Sequence, residues 1–273
     1  MTATPSAADS MISQSFWRGK SVVVTGGSSG IGRALAIALG SAGARVGLIA
    51  RRPEPLAATV EAIRAATGVA EAAPADVADA AAVRAAVAGL ERRLGACDVA
   101  IASAGIHRVS WPLDAAVAAE VIDVNVKGCI NLAAAVLPAM LARGGGRVCG
   151  VASIAGVVGL PGNAAYCGSK AAVIAFLESL RLDAAPAGVT ITTALPGVVD
   201  TPMITAAERA SGGVVSAAAA ATTILRAIER GRAEVWFPRR TAFLARLASA
   251  APPAIRDLAL RRQPRLEEPP PGG

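Results

Sequence analysis

Two side chains suited to moving a proton lie four residues apart in this sequence. Tyr166 is the only tyrosine of the chain, and Lys170 is one of three lysines. Residues at i and i+4 share one face of a helix, so the spacing predicts that both side chains reach the same ligand. A phenol with its ordinary pKa of about 10 exchanges protons poorly near neutrality, and a neighbouring ammonium group favours the phenolate. The pair therefore predicts a general acid/base.

A glycine-rich turn follows the first apolar run of the chain. Residues 21–25 read SVVVT, and residues 25–32 read TGGSSGIG before a helical pattern begins. Glycines permit a tight turn and a close approach of the backbone, and the amides at the start of the helix can bind a pyrophosphate. The spacing G-x-x-x-G-x-G differs from the common G-x-G-x-x-G fingerprint. The turn predicts a nucleotide phosphate site.

Together these motifs resemble the classical short-chain dehydrogenases/reductases over about Lys20–Phe237. The family's catalytic tetrad is matched by Asn125, Ser153, Tyr166 and Lys170. The resemblance implies hydride transfer between a nicotinamide and a carbonyl or alcohol carbon, with Tyr166 as the acid/base. It further implies that Ser153 binds the substrate oxygen and that Asn125 holds a water that connects Lys170 to solvent. Taken alone, Ser153 fits a strand-end cap and Asn125 a polar helix residue equally well.

The end of the second predicted strand bears on the choice of cofactor. Ala50 stands where NAD-preferring members of the family carry an aspartate, and Arg51 and Arg52 follow it. Guanidinium groups bind phosphate through charge-assisted, often bidentate hydrogen bonds, so the sequence predicts NADP(H). The alternative is a solvated pair of arginines after a strand. Asp76 and Val77 resemble the family's adenine-contacting pair, although an aspartate at this position also fits a turn or a helix cap.

Two further segments resemble cofactor-binding parts of the family. In Ala102-Ser103-Ala104-Gly105, Ala102 replaces the family's usual first asparagine, which puts the bracing of the central strand in question. In the segment 196–201, Val199 and Thr201 are expected to contact the carboxamide of the cofactor. The predicted cofactor-binding set is Gly26, Ser28, Ser29, Gly30, Ile31, Gly32, Arg51, Arg52, Asp76, Val77, Ser103, Ala104, Gly105, Tyr166, Lys170, Pro196, Gly197, Val199 and Thr201.

Short apolar runs alternate with helical patterns along the chain. The alternation predicts an α/β fold, with a single doubly wound, parallel, seven-stranded sheet of the Rossmann type and helices on both faces. The predicted strands cover residues 21–25, 44–50, 71–75, 99–103, 147–152, 189–194 and 234–237. The predicted organisation is a disordered segment at 1–15, the catalytic domain at 16–237, a helical extension at 238–262 and a disordered tail at 263–273.

Composition argues against several other classes of protein. Four scattered cysteines and a single histidine, His107, form no ligand pattern, so no metal site is predicted. The N-terminus lacks the features of a secretory signal, and no uninterrupted apolar run reaches the roughly 18 residues that span a bilayer. A cytoplasmic protein is therefore expected. The net charge of +7 is concentrated near the C-terminus, where no motif supports nucleic-acid binding.

The expected substrate is a small apolar or lipophilic carbonyl compound or alcohol. The loops predicted over the cleft, at residues 106–113, 155–163 and 203–214, are apolar, and His107 fits a loop histidine better than a substrate contact. A non-catalytic NADP-binding regulator is the alternative function, although its usual sign, a damaged tetrad, is absent. The resemblance also implies a homodimer or homotetramer, paired through the helices predicted at 115–141 and 164–184.

The C-terminal extension carries an apolar stripe among arginines. Its first part comprises Phe243, Leu244, Leu247, Ala248 and Ala251. One hypothesis is that the stripe packs on its own subunit or a neighbour and covers the substrate cleft, which its narrow, alanine-rich character favours. The other is that it lies on an anionic membrane surface, as would suit a reductase of long-chain keto-lipids.

Overall fold

The structure is a computed structural model that describes residues 12–109, 111–205, 209 and 213–260. Strands β1 to β9 span Ser21–Thr25, Arg45–Ala50, Val69–Pro74, Val99–Ala102, Gly146–Val151, Val189–Pro196, Val199–Asp200, Val215–Ser216 and Glu234–Phe237. Helices α1 to α10 span Gln14–Trp17, Gly30–Ser41, Pro53–Ala65, Ala80–Leu94, Ala115–Ile122, Gly128–Ala142, Ala164–Ala184, Ala217–Glu229, Arg239–Ala250 and Pro253–Leu260. A π-helical segment, Asp123–Lys127, joins α5 to α6.

Seven of the strands form one parallel sheet in the order β3-β2-β1-β4-β5-β6-β9. Strands buried on both faces need continuous apolar runs, and β1, with the sequence SVVVT, is buried at every residue. The prediction of a doubly wound, seven-stranded parallel sheet is confirmed. Because the strand order reverses between β1 and β4, a crevice opens at the carboxyl ends of these two strands.

Helices cover both faces of the sheet, as predicted. On one face, Leu35 and Leu39 of α2 and Ile224 of α8 pack against β1 and β2. On the other, Val87 of α4 and Leu177 of α7 belong to a second buried cluster. Each helix therefore buries an apolar face against the sheet, which fixes the loops that begin at the carboxyl ends of the strands.

The helix pair α5–α6 with its π-helical junction covers Ala115–Ala142 and is long and apolar enough to cross a membrane by length and composition. Polar residues such as Asn125 and Asn131 interrupt it. Leu132, Val136 and Met140 pack in the second core cluster. Burial against the sheet therefore accounts for part of its apolar character.

Ordered structure begins before residue 16. The predicted disordered segment at 1–15 is wrong for its last residues, because Ser13 caps α1 and its backbone amide donates to Glu229 Oε1 at 2.8 Å. Trp17 Nε1 donates to the same oxygen, and the Trp17 ring is fully buried. Residues 1–11, the predicted tail at 263–273 and the last two residues of the predicted extension, 261–262, lie outside the described residues.

Candidate active site

A cavity of about 760 Å³ lies at the carboxyl ends of the central strands. Every residue of the predicted cofactor-binding set lines this cavity, and so does Ser153. Asn125 of the predicted tetrad lies behind the wall rather than in it, and it is buried. The structure therefore brings the predicted residues together at one crevice, where the doubly wound topology places ligand sites.

The glycine-rich turn between β1 and α2 leaves no space for a side chain at Gly26 or Gly32. A Cβ on Gly32 would lie 2.2 Å from the carbonyl oxygen of Gly26, and a Cβ on Gly26 would lie 2.8 Å from Cα of Ala104. Gly26 and Gly30 have φ angles of +72° and +52°, which glycine adopts readily. This compact turn brings the amides at the start of α2 to the cavity, and it fits the pyrophosphate of a dinucleotide.

The part of the cavity next to the carboxyl end of β2 is basic. Arg51 and Arg52 follow β2 and are exposed. Asp76 accepts a hydrogen bond from the Ala78 amide at 2.9 Å, so it supports a turn while it lines the cavity. Val77 beside it is buried, and a Cβ on Gly128 would lie 2.8 Å from Cγ2 of Val77. Two guanidinium groups and an apolar floor suit a phosphorylated adenosine; this assignment stays a prediction.

Tyr166 and Lys170 lie one turn apart on α7 and both face the cavity. The Lys170 ammonium is 5.7 Å from the centre of the Tyr166 ring, and Nζ donates to the carbonyl oxygen of Val151 at 2.9 Å. Lys170 is buried, and burial lowers its pKa from 10.5 to about 8. Desolvation disfavours the charged form of an amine, so the structure holds a lysine that changes charge near the pH of the cell.

Asn125 braces the floor of the site from the π-helical segment. Its Oδ1 accepts from the Ile106 amide at 2.7 Å, and its Nδ2 donates to the Ile106 carbonyl at 3.0 Å and to Ser169 Oγ at 2.9 Å. Ser169 Oγ in turn donates to the Tyr166 carbonyl at 2.7 Å. Both amide protons of Asn125 are thus used by the protein, which leaves one lone pair of Oδ1 as the group that can take a water.

Gly105 is the residue that lets these groups approach. A Cβ there would lie 3.2 Å from Asn125 Oδ1 and 3.4 Å from Lys170 Nζ. The π-helical turn contains Asn125, and the Gly128 amide that ends it donates to Asp123 O, five residues earlier. Such turns insert one extra residue into a helix and occur frequently at functional sites.

Ser153 lies at the end of β5, as predicted, and combines two roles. Its Oγ accepts from the Ala155 amide at 3.1 Å, which caps the short helix Ile154–Gly156. Its own proton points to the Pro196 carbonyl at 3.5 Å, at the long limit of a hydrogen bond. A substrate oxygen at normal distance would compete well for this proton.

The strand ends next to the cofactor cradle are braced by Thr25. Position 102, at the end of β4, is an alanine and cannot brace the chain through a side-chain amide. Thr25 Oγ1 accepts from the amides of Ser103 and Ala104, each at 3.2 Å. A buried hydroxyl at the end of β1 therefore ties down the chain that leaves β4.

His107 contributes more to the site than the sequence indicated. It is buried, lines the cavity and hydrogen-bonds through Nε2 to Asn163 Oδ1 at 2.5 Å. Its ring centre lies 4.7 Å from that of Tyr166. The loop histidine is thus satisfied, as expected, and it also packs on the predicted acid/base. The partner Asn163 lies 56 positions along the chain, a separation at which no local sequence pattern signals contact.

The substrate end of the cavity has apolar walls. Ile154, Val158, Leu160, Met203 and Ile204 come from the loops that follow β5 and β7. The C-terminal extension adds a wall that the cofactor and catalytic predictions left out, formed by Thr241, Leu244, Ala245, Ala248 and Leu260. Its signal in the sequence was the apolar stripe of the extension. Parts of the loops that are predicted to lie over the cleft are outside the described residues, namely Ser110, 206–208 and 210–212.

None of the four cysteines is among the residues that line the cavity. All four are buried and unpaired, and burial raises the pKa of the Cys97 and Cys129 thiols to about 12. Thiols of this kind are inert. Among the residues that the structure describes, no cluster of histidine, cysteine, aspartate or glutamate suits a metal ion.

Comparison with known proteins agrees with this geometry. The model of the short chain dehydrogenase family matches residues 20–212. An uncharacterized oxidoreductase of Myxococcus xanthus (strain DK1622) is 35% identical over 249 residues, which are 89% of this chain and 97% of the relative. A 3beta-hydroxysteroid dehydrogenase of Mediterraneibacter gnavus is 35% identical over 198 residues, 71% of this chain and 70% of the relative. The crystal structure of levodione reductase shares the fold, with a TM-score of 0.76 over 82% of this chain and 98% of that chain at 24% identity.

Proposed function

This chain belongs to the short-chain dehydrogenase family, and we propose that it is an NADP(H)-dependent reductase of apolar ketones or aldehydes, or the corresponding alcohol dehydrogenase. Members of the family are oxidoreductases that use a nicotinamide cofactor. The observation that carries the proposal is the meeting of Ser153, Tyr166 and Lys170 at one cavity, with Asn125 bracing them from behind. This is a proton-transfer site beside a dinucleotide cradle.

The cofactor would be held by groups of three kinds. The compact turn at Gly26, Gly30 and Gly32 would bind the pyrophosphate through backbone amides. Arg51 and Arg52 would bind a phosphate on the adenosine ribose. Ser103–Gly105 and Pro196–Thr201 would line the nicotinamide end. When bound, this group supplies or accepts the hydride.

The residues of this chain handle the oxygen of the substrate and its proton. Tyr166 would give its phenolic proton to the carbonyl oxygen in reduction and take it from the alcohol in oxidation. Lys170, charged below about pH 8, favours the phenolate and so makes the proton easier to release. Ser153 Oγ would donate to the oxygen where negative charge develops. Asn125 would keep a water in reach of Lys170 through the remaining lone pair of Oδ1.

The walls of the cavity support an apolar substrate. Ile154, Val158, Met203 and Ile204 line the end of the cavity beyond the tetrad, and burying apolar groups there would supply binding energy. Charged side chains among the described lining residues are Arg51, Arg52, Asp76 and Lys170, all in the predicted cofactor or catalytic sets. The relative named as a hydroxysteroid dehydrogenase has a substrate of the same apolar kind.

The test of the mechanism is the substitution Tyr166→Phe, which keeps the ring and removes the transferable proton. We expect NADPH-dependent ketone reduction to fall at least about 100-fold, the lower range for a general acid/base. Cofactor binding, followed by fluorescence titration, should be retained. Turnover close to wild type in this variant would contradict the mechanism. A wild-type protein that binds NADPH but reduces no ketone in a broad panel would instead favour the non-catalytic regulator.

The cofactor preference has its own test. Arg51 with no carboxylate at Ala50 should favour NADPH, because the loss of a charge-assisted hydrogen bond costs about 1.5–3 kcal/mol. The double substitution Ala50→Asp, Arg51→Ala should therefore shift kcat/KM toward NADH by at least about tenfold. Arg33→Ala, a change of charge outside the residues that line the cavity, serves as the control. Equal kcat/KM of the wild type with both cofactors would overturn the preference.

A further inference from the structure

The last two helices expose an unusual amount of apolar surface. Phe243, Leu244 and Leu247 on α9 are 63%, 63% and 54% exposed, and Ile255 and Leu258 on α10 are 62% and 64% exposed. Phe243, Leu244 and Leu247, within five positions of α9, are called here the C-terminal apolar face, and Ile255 and Leu258 expose further apolar surface on the next helix. Isolated exposed leucines are ordinary in folded proteins, whereas several on one short segment indicate an interaction site.

Packing on the chain's own body does not explain this face. Helix α9 contacts the body through small residues: Ala242 is buried and Ala245 packs beside it against Leu195 and Ile154. Arg246 stacks its guanidinium on the ring of Trp236 at 4.4 Å. Because residues 242, 245 and 246 turn toward the body, helical spacing places 243 and 247 on the opposite side. The body therefore uses the alanines of the stripe and leaves the large side chains in solvent.

The face is bordered by positive charge. Arg239 and Arg240 are exposed at the start of α9, and Arg256 lies on α10. Arg246 turns to the body, where it approaches Glu234 at 4.0 Å. The border therefore carries Arg239, Arg240 and Arg256 against one aspartate, Asp257, which gives a net charge of +2. An apolar face edged by arginine matches the boundary between acyl chains and anionic headgroups. A second copy of this chain fits less well, because a two-fold contact brings the same patch onto itself and opposes like charges.

The face is also continuous with the substrate end of the cavity. Leu244 belongs to both surfaces, since it is exposed and lines the cavity, and Ala248 lies one turn further along the same wall. Leu260 of α10 reaches the cavity as well. An apolar path thus leads from the outer surface of the extension to the predicted acid/base.

We propose that the C-terminal apolar face docks the protein on an anionic lipid surface, with the mouth of the cavity against the lipid. Docking buries Phe243 and Leu247 among acyl chains and brings Arg239 and Arg240 to the headgroups. An apolar carbonyl compound dissolved in the bilayer then reaches the cavity along Leu244 and Ala248. This last step rests on the proposed function, and the docking itself does not.

Vesicle flotation of the full chain without substrate tests the docking. The probes are vesicles of phosphatidylcholine alone and of phosphatidylcholine mixed with phosphatidylserine, at low and high salt. We expect binding to the mixed vesicles that weakens as salt rises.

Two pairs of substitutions test the residues that dock. Phe243→Gln with Leu247→Gln should weaken binding to the mixed vesicles at least about tenfold. Val69→Gln, a change at an exposed apolar residue of β3, should not weaken it. Arg239→Gln with Arg240→Gln should weaken it about tenfold or more, and Arg84→Gln with Arg92→Gln, which removes equal charge from α4, should not.

Three results would overturn the docking proposal. The first is a full chain that binds neither kind of vesicle at low salt. The second is equal binding by the Phe243/Leu247 variant and the Val69 control. The third is a smaller mass by light scattering for the Phe243/Leu247 variant in the absence of lipid, which would make the face a subunit contact. A separate assay with a small water-miscible ketone reports on the proposed enzyme, so absence of turnover there leaves the flotation result intact.

Discussion

Lys170 sits where an ammonium ion is costly. It is 5% exposed, and the groups around it are the Val151 carbonyl, the Tyr166 ring, Cys129 and Asn125. Burial is the first cause of the lowered pKa of Lys170, and Cys129 acts in the opposite direction. A lysine near its titration point can be charged when the phenolate must be favoured and still exchange protons with solvent. In the proposed mechanism the cost of burying Lys170 is therefore tied to the proton transfer by Tyr166.

The buried amine predicts a pH-dependent stability. The pKa of Lys170 is about 8 in the folded chain and 10.5 in its ordinary state. Between these values the unfolded chain binds more protons, so this residue's contribution to the free energy of unfolding rises with pH over that window, and below about pH 8 the full penalty applies. Lys170→Met removes the titration. The stability of the variant relative to wild type should therefore fall by up to about 3 kcal/mol from about pH 7 to about pH 10.5.

Urea denaturation of both proteins across this pH range measures the difference. Titrating groups away from Lys170 contribute equally to both chains and cancel, and carrying Tyr166→Phe in both chains removes the titration of the phenol beside Lys170. A difference in free energy of unfolding that stays constant with pH would show that Lys170 keeps its ordinary pKa.

How far the sequence predicts the site depends on how local each signal is. Tyr166 and Lys170 are four residues apart, and helix geometry alone brings them to one face. The turn 25–32 is likewise one continuous motif. The pairing of His107 with Asn163 crosses 56 positions between two loops, and only the fold brings them together. Asn125 is matched by resemblance, but no local sequence pattern indicates that it lies in a π-helical segment behind the cavity wall.

At the level of elements, strands were predictable where apolar runs are continuous. Helix α7 and strand β9 have the predicted bounds, 164–184 and 234–237. Strand β3 spans 69–74 rather than 71–75, because its register against β2 pairs Arg45 with Val69 and Ala50 with Pro74. The alanines and glutamate of that segment carry little strand preference of their own. Pairing with a neighbour fixes the bounds of such weak elements, and a single strand's sequence does not contain that information.

The junction between β1 and β4 depends on the hydroxyl group of Thr25. Thr25→Val keeps the shape of the side chain and removes the acceptor for the amides of Ser103 and Ala104. Leaving buried donors without a partner costs about 1–3 kcal/mol, so the free energy of unfolding should fall by about 2 kcal/mol. Thr222→Val, which removes an exposed hydroxyl bond to Ala218 within α8, should change it by less than about 0.5 kcal/mol. Equal effects of the two substitutions in chemical denaturation would rule out the bracing role.

At the scale of the whole molecule, one face of the subunit exposes a stripe of small residues along α7. Along α7 the exposed positions include Ala164, Gly168, Ala171 and Ala175, spaced by four, three and four residues, and a Cβ on Gly168 would meet nothing within 4 Å. Two helices pack closer together when the side chains at their contact are small. The family commonly forms oligomers, and this stripe has the composition that a tight pairing of two α7 helices requires.

We therefore expect a dimer or tetramer, and we expect Ala175→Arg to dissociate it. The arginine would add a long, charged side chain where two helices must approach, and a buried unpaired charge costs several kcal/mol. Within one subunit Ala175 is exposed, so the fold itself should keep its stability to within about 0.5 kcal/mol. Ala58→Arg, at an exposed alanine of α3, adds the same charge away from the stripe.

Light scattering coupled to size exclusion distinguishes the outcomes. The wild type and the Ala58 variant should have the same mass, a multiple of the 27.1 kDa chain mass. The Ala175 variant should have a smaller mass. A wild-type protein of monomer mass would show that the stripe pairs with nothing.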